Sequence, residues 1–363
     1  MKLRFFGSSL VSSYWNGAAT YYRGLLKALA AHGVDVTFYE PDAYQRQQHR
    51  DIDDPPWARV VVYPATEDGW RRALDEAAAD ADLLVKASGV GVFDQALEIA
   101  VPQAARPGTC TAWWDVDAPA TLEAIEADPA HHLRAAVPRY DIVFTYGGGA
   151  PVVDAYTALG ARACVPIYNA VDPDTHHPVA PREEWRCDLG FLGNRLPDRE
   201  ARVEEFFLGA AARLPQRHFL LGGAGWDDKP MPGNVRRLGH VGSGDHNAFF
   251  CSSRATLNIN RASMARTGFS PPTRIFEAAG AGACLITDRW DGIAEFLEPG
   301  HEILLADDGA AVATLLDGLD DTRARMIGDA ARARVLAAHT YAHRARQVLD
   351  RLGDGGRTCG VAA

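Results

Sequence analysis

No stretch of the 363 residues approaches the ~18 consecutive apolar residues of a membrane-crossing helix. The opening MKLRFFGSSLVSSYWNG holds an apolar run too short and too polar for a signal-peptide core. Positive charge is also scarce: 37 Lys and Arg stand against 47 Asp and Glu, a formal net charge of −10. That excludes the concentrated basic surface that nucleic-acid backbones require, though not a local basic pocket for one diphosphate. The six cysteines (110, 164, 187, 251, 284, 359) include no CxxC pair, so the expectation is reduced, mostly buried thiols in a cytoplasmic protein. A complete dinucleotide fingerprint is missing too. Gly89-Val90-Gly91 begins one, but Asp94 stands where its third glycine belongs.

What is present is an alternation of short apolar runs and helical periods. Leu3–Phe6, a polar loop Ser8 to Asn16, apolar residues at helical spacing from Ala18 to Leu29, the stop at Gly33 and the alternating Val34–Tyr39 form a βαβ unit. Such a unit implies a parallel sheet with a right-handed crossover. Further strands are expected at 59–63, 83–85, 111–114 and 142–146, and a helix over 67–80. The rhythm breaks between Pro166 and Pro181, a stretch with four prolines, which reads as an interdomain linker. It restarts with strands at 189–192, 218–221, 255–259 and 283–287 and helices at 198–214 and 272–281. Because single cores stop growing near ~250–300 residues, two domains are expected. The divisions read from the chain are 1–170, 171–340 and a closing segment 341–363 whose helix crosses back to the first domain. The fold class is α/β, with two Rossmann-like domains in tandem, and in such sheets ligands sit at the carboxyl ends of strands.

The most informative segment runs from Ser270 to Gly282. Ser270 is a suitable helix cap, and Pro271-Pro272 fits a first turn whose N–H groups lack partners. The amino end of the helix, with Pro272 and Thr273, suits a diphosphate. Arg274 and Glu277, three apart, share a face, and Glu277 is placed to accept hydrogen bonds from a ribose diol. A plain surface ion pair on an ordinary helix is the alternative.

Around it, Arg274-Ile275-Phe276-Glu277-Ala278, then Gly282 to Asp288, Asp291-Gly292-Ile293 and Glu298-Pro299-Gly300 follow in a characteristic order. So do Tyr168 to Asp172 with Pro178, Asp188 to Arg195, and Gly239-His240-Val241. Together these segments resemble the retaining GT-B glycosyltransferases, especially the bacterial CgeB-like and group 1 (family 4-like) members. The resemblance implies a GT-B architecture whose two Rossmann-like domains face each other across a cleft. It also implies transfer of a sugar from a UDP-, GDP- or dTDP-linked donor to an unidentified acceptor, with retention and without a metal or tightly bound cofactor. It places the ribose on Glu277 and the nucleobase at the turn Gly239-His240-Val241. The phosphates fall near Gly193, Asn194 and Arg195, with Arg199 the weaker basic candidate, and near Asn16-Gly17. Many relatives carry a second glutamate eight residues before Glu277; here that position is Phe269.

Asp115-Val116-Asp117 ends a strand. Two carboxylates alone are a thin metal site, so Asp117 is read as a general base, with helix capping as the alternative. Gly147-Gly148-Gly149 lines the acceptor side or is a flexible turn. Trp113-Trp114 is expected in the core, and His176-His177 in a solvated linker. A non-catalytic nucleotide-sugar-binding or spore-coat-type protein and a nucleotide-sugar epimerase are the competing functions. The oligomeric state is not legible.

Overall fold

A computed structural model describes residues 1–14 and 16–354. The chain divides into two compact units, one formed by Met1–Asn169 with the helix that begins at Tyr341, the other by Ala170–Thr340. The first unit contains β1 (Lys2–Phe6), β2 (Asp35–Asp42), β3 (Arg59–Pro64), β4 (Leu83–Ala87), β5 (Cys110–Asp115), β6 (Ile142–Thr145) and β7 (Cys164–Pro166). The second contains β8 (Cys187–Leu192), β9 (Phe219–Gly222), β10 (Val235–Gly239), β11 (Ser253–Asn258), β12 (Leu285–Asp288) and β13 (Leu304–Ala306). Every strand pairing is parallel. The orders are β3-β2-β1-β4-β5-β6-β7 and β10-β9-β8-β11-β12-β13. Both are the doubly wound order, which reverses direction beside β1 in one sheet and beside β8 in the other and opens a crevice at the strands' carboxyl ends.

The central strands are apolar because helices cover both faces of each sheet. Phe5, Phe6, Val85 and Trp113 are buried in one sheet and Leu189, Phe191, Leu257 and Ile286 in the other. Trp113 and Trp114 are core residues, as expected. Edge strand β10 (Val-Arg-Arg-Leu-Gly) exposes its arginines, so its sequence does not alternate as a half-buried strand would. Helix Tyr341–Asp354 packs on helix Ala19–Ala31, where Gly24 leaves room for the Tyr341 ring.

Helix Thr273–Gly280 lies almost wholly buried in the second unit. A Cβ on Gly280 would stand 2.6 Å from Val171 and 3.0 Å from the His176 carbonyl, so close packing requires glycine there. The helix ends as a Schellman motif. Gly282 (φ +76°) donates to Ala279 and Ala283 donates to Ala278.

Two expectations need correction. The helix begins at Thr273 with Pro272 in the capping position, extended at ψ 153°, and Ser270 does not cap it. A proline disfavours helical backbone in the residue before it, so the Ser270-Pro271-Pro272 run stays extended. Cys110 is disulfide-bonded and not a reduced thiol, while Cys164, Cys187, Cys251 and Cys284 are free. Cys359 lies outside the described residues.

Candidate active site

The second unit gathers charge at the carboxyl ends of β8 and β11 and at the amino end of helix Thr273–Gly280. Glu277, one turn into that helix, is buried. Its Oε2 accepts from Arg274 Nη1 at 3.3 Å and lies 4.0 Å from His246 Nδ1; its Oε1 lies 3.9 Å from His176 Nε2. Burial by itself would push the carboxyl up, but Arg274, His176 and His246 together hold it below the ordinary carboxylate range. Burial, reinforced by Arg274, pushes His246 down to about 4, so near neutrality its imidazole is uncharged. His176 is buried, contrary to the solvated linker expected for it, whereas His177 is exposed. His176 faces inward because Gly280 lets this segment lie close against the helix.

The loop leaving β8 supplies the second part. Gly193 is tightly enclosed: its carbonyl accepts from Trp226 Nε1 at 2.9 Å, and an added Cβ would meet the Arg199 guanidinium at 2.8 Å. Asn194 Oδ1 accepts from the Ala224 amide at 2.9 Å, tying this loop to the one after β9. Arg195 is engaged by two carboxylates, Glu200 and Asp228, each at 2.7 Å. Arg199 differs. Its Nη2 donates to the Asn194 carbonyl at 2.6 Å, and its Nε is buried without a hydrogen-bond partner. Burial, with Arg274 and Arg261 adding like charge, pushes the Arg199 guanidinium down to about 10. Without ligand, then, Arg199 is the under-neutralised cation, while Arg195, the stronger candidate from sequence, is paired with two carboxylates.

Gly239, at φ +71°, makes the turn out of β10; His240 is exposed and Val241 buried. The Val241 backbone lies beside the His246 ring, which brings this turn near Glu277. Between β11 and the site helix, Gly268 (φ +69°) and Phe269 (φ +46°) form a tight turn in which the Phe269 amide donates to Asp291 at 2.6 Å. The Phe269 ring packs on Gly292, where a Cβ would meet it at 2.2 Å. The hydroxyl of Ser270 and the Nδ2 of Asn260 are buried without partners beside this turn.

In the first unit, Asn16 is buried and both amide hydrogens are used. It accepts from Ser8 Oγ at 2.8 Å and donates to the carbonyls of Ser9 and Ser12 at 2.8 and 3.0 Å. Its side chain latches the loop after β1. Gly17 is exposed, and a Cβ there would touch nothing within 4 Å. Asp115 is buried and accepts from Ser88, Thr121, the Asp117 amide and Tyr156. Burial pushes this carboxyl up despite those donors, and its oxygens are occupied, so Asp115-Val116-Asp117 cannot act as a paired metal ligand. Asp117 stands partly exposed at the start of helix Ala118–Ala127, but its side chain does not cap that helix. Gly148 and Gly149, at φ +93° and +51°, form the turn into the next helix.

Residues 199–350 match the family described as glycosyl transferase-like. With that match over most of the second unit, the paired doubly wound sheets define the fold as GT-B, and residues 199–350 are glycosyl transferase-like. Structures of the same fold include HepE of Anabaena in complex with UDP and glucose (16% identity, 98% of this chain and 100% of that one, TM-score 0.67). Sucrose-phosphate synthase of Thermosynechococcus elongatus is similar over 98% of both chains (15% identity, TM-score 0.70). T4 phage BGT in complex with UDP-glucose is similar over 99% of both (11% identity, TM-score 0.60). No curated protein sequence matches the chain significantly. No helix among the described residues is long and apolar enough to cross a membrane.

Proposed function

We propose that the second unit binds a nucleoside-diphosphate sugar, with the diphosphate against Arg199, Arg274 and the amino end of helix Thr273–Gly280 and the ribose diol on Glu277. One observation carries this reading. Two arginines share a partly buried site in which Arg199 lacks a partner for its Nε and burial and Arg274 raise the cost of its charge. An anion removes both penalties, and a leaving diphosphate develops negative charge where these groups stand. Transfer on this plan needs no metal, because guanidinium and helix dipole do the neutralising. The turn Gly239-His240-Val241, brought near Glu277 by His246, is the place for the nucleobase. The resemblance of the site helix to retaining enzymes makes retention of configuration the expected outcome.

Asp117 is proposed as the group that takes the acceptor's hydroxyl proton. Asp117→Asn is expected to lower kcat by roughly 100-fold with unchanged donor Kd; a loss confined to Kd would remove this role.

UDP-glucose is the first donor to try, since HepE and the phage enzyme are seen with UDP or UDP-glucose. Thermal shift and calorimetry against UDP-, GDP- and dTDP-sugars, with slow donor hydrolysis as the activity readout, test the assignment. Stabilisation by at least one donor with hydrolysis is expected. Stabilisation without hydrolysis would favour a binding protein, and stabilisation by NAD alone would overturn the reading.

A further inference from the structure

His176, His246 and Glu277 each offer one ligand atom, and all three atoms lie within 4.8 Å of one another. They come from three separate parts of the second unit: the segment before β8, the helix before β11 and the site helix. All three side chains are mostly buried.

Thr175 Oγ1 lies 3.0 Å from His176 Nδ1 and 3.2 Å from the Asp172 carbonyl. With Nδ1 engaged on that side, Nε2 is the ring nitrogen that faces Glu277 Oε1, at 3.9 Å. A ring nitrogen and a carboxylate oxygen at that separation leave a gap that a cation can bridge. His246 brings a second ring nitrogen to the other side of the same carboxylate, at 4.0 Å.

We infer that His176, His246 and Glu277 form a binding site for a zinc-class divalent ion, and that the ion and the ribose of the nucleotide exclude each other. Two imidazoles and one carboxylate are the donor set of open zinc sites, whereas magnesium favours oxygen ligands and retained water. Ligand bonds of about 2.0–2.2 Å in a tetrahedral arrangement put neighbouring donor atoms roughly 3.3–3.5 Å apart. The 3.9 Å between His176 Nε2 and Glu277 Oε1 therefore has to close by a few tenths of an ångström, and His246 Nδ1, 4.0 Å from the other carboxylate oxygen, has to move in towards Oε1 as well. Arg274 opposes the ion from Oε2, which assigns the metal to Oε1 and makes the site weak enough to be reversible. The exclusion rests on the proposed placement of the ribose on Glu277. It makes the metal an inhibitor of donor binding and not a participant in transfer.

The test uses the full chain, stripped with chelator and then freed of it, titrated with Zn2+ by calorimetry, with Co2+ absorption as an independent report of coordination. The expected result is one reversibly bound Zn2+ per chain, none of comparable affinity for Mg2+, and at least a ~10-fold loss of affinity in His176→Ala and His246→Ala. Circular dichroism melts establish that both variants fold; for one that does not, His176→Gln or His246→Gln takes its place. No uptake, or uptake unchanged in both variants, overturns the site. Uridine, which carries no phosphate to chelate the ion, is then titrated with and without Zn2+ by ligand-observed NMR. Weaker uridine binding in the presence of Zn2+ supports the exclusion. Zinc bound at these residues with uridine affinity unchanged leaves the metal site standing and overturns the placement of the ribose on Glu277.

Discussion

In the first unit the loop leaving β1, and in the second the loop leaving β8, occupy the same place in the same strand order. Their chemistry differs. The loop after β1 is largely closed on itself: Glu40, fully buried, accepts from Ser9, the Leu10 amide and Gln47, and Asn16 accepts from Ser8 and donates to the Ser9 and Ser12 carbonyls. At the neighbouring strand, buried Lys86 is paired with Asp94 at 2.7 Å and stands 3.9 Å from Glu98. The loop after β8 instead leaves Arg199 short of a partner and close to Arg274. Topology thus marks two equivalent crevices, and each holds a buried arginine whose Nε has no partner, Arg46 on the Ser8 and Val90 carbonyls in the first and Arg199 in the second; what sets the second apart is a further guanidinium, Arg274, close to Arg199. A satisfied polar loop gives rigidity; an unsatisfied cation stores a cost that a ligand can remove.

The largest effect on donor affinity should come from Arg274. Arg274→Ala removes a charge-assisted contact and the partner of Glu277 together, so donor Kd is expected to rise by roughly 100-fold, with partial recovery in Arg274→Lys. Calorimetry with a nucleoside diphosphate checks it, and an unchanged Kd would erase the contrast between the two crevices. Glu277→Gln comes next. It should weaken nucleoside diphosphate binding by about 10-fold while leaving inorganic pyrophosphate, which has no ribose, nearly unaffected. Equal losses for both ligands would assign Glu277 to the phosphates.

How much of this was legible in the sequence depended on distance along the chain. The apolar runs of β1, β5, β8 and β12 announce themselves, because buried parallel strands are apolar on both faces. Strands β7, with three residues, and β10, with exposed arginines, carry no such signal. Glu277 and Arg274 were readable because they sit on one short helix. His176 and His246 were not: they lie 101 and 31 residues before Glu277, as their numbers show, and only packing against Gly280 and the Val241 turn brings them to it. The proline-rich surroundings of His176 pointed to solvent, and nothing local contradicted that.

His246 gives a smaller effect, on stability. Its folded-state value, about 4, lies below the ordinary 6.5. Between those values the unfolded chain binds the proton and the folded chain does not, so this residue makes stability fall as pH drops from about 6.5 to about 4. The contribution is complete above 6.5 and is lost progressively through that window. His246→Gln removes the titrating group, and its denaturant midpoint should fall less steeply than that of the parent over the same range. Parallel slopes would mean that His246 is more accessible to water than its packing indicates.

The smallest expected effect is the sharpest test of how the crevice is read. Arg195 and Arg199 are four residues apart, one in the loop after β8 and the other in the helix Pro197–Val203 that follows it, and sequence favoured the former. Arg195 already donates to Glu200 and Asp228 and to the Gly225 carbonyl, so a diphosphate would have to compete with two carboxylates for it. Glu200 also accepts from Lys229 at 2.8 Å, so the network keeps a cation when Arg195 is lost. Arg195→Ala is therefore expected to change donor Kd by no more than about 2-fold, as befits an exposed and already paired charge. Arg199→Ala should raise it by roughly 10-fold or more, because its guanidinium has hydrogen-bonding capacity unspent. The two variants titrated side by side with the same nucleoside diphosphate decide the matter. If Arg195→Ala proves the more damaging, ligand binding must break the Glu200 and Asp228 pairs, and partner satisfaction in the unliganded protein would no longer tell binding arginines from structural ones.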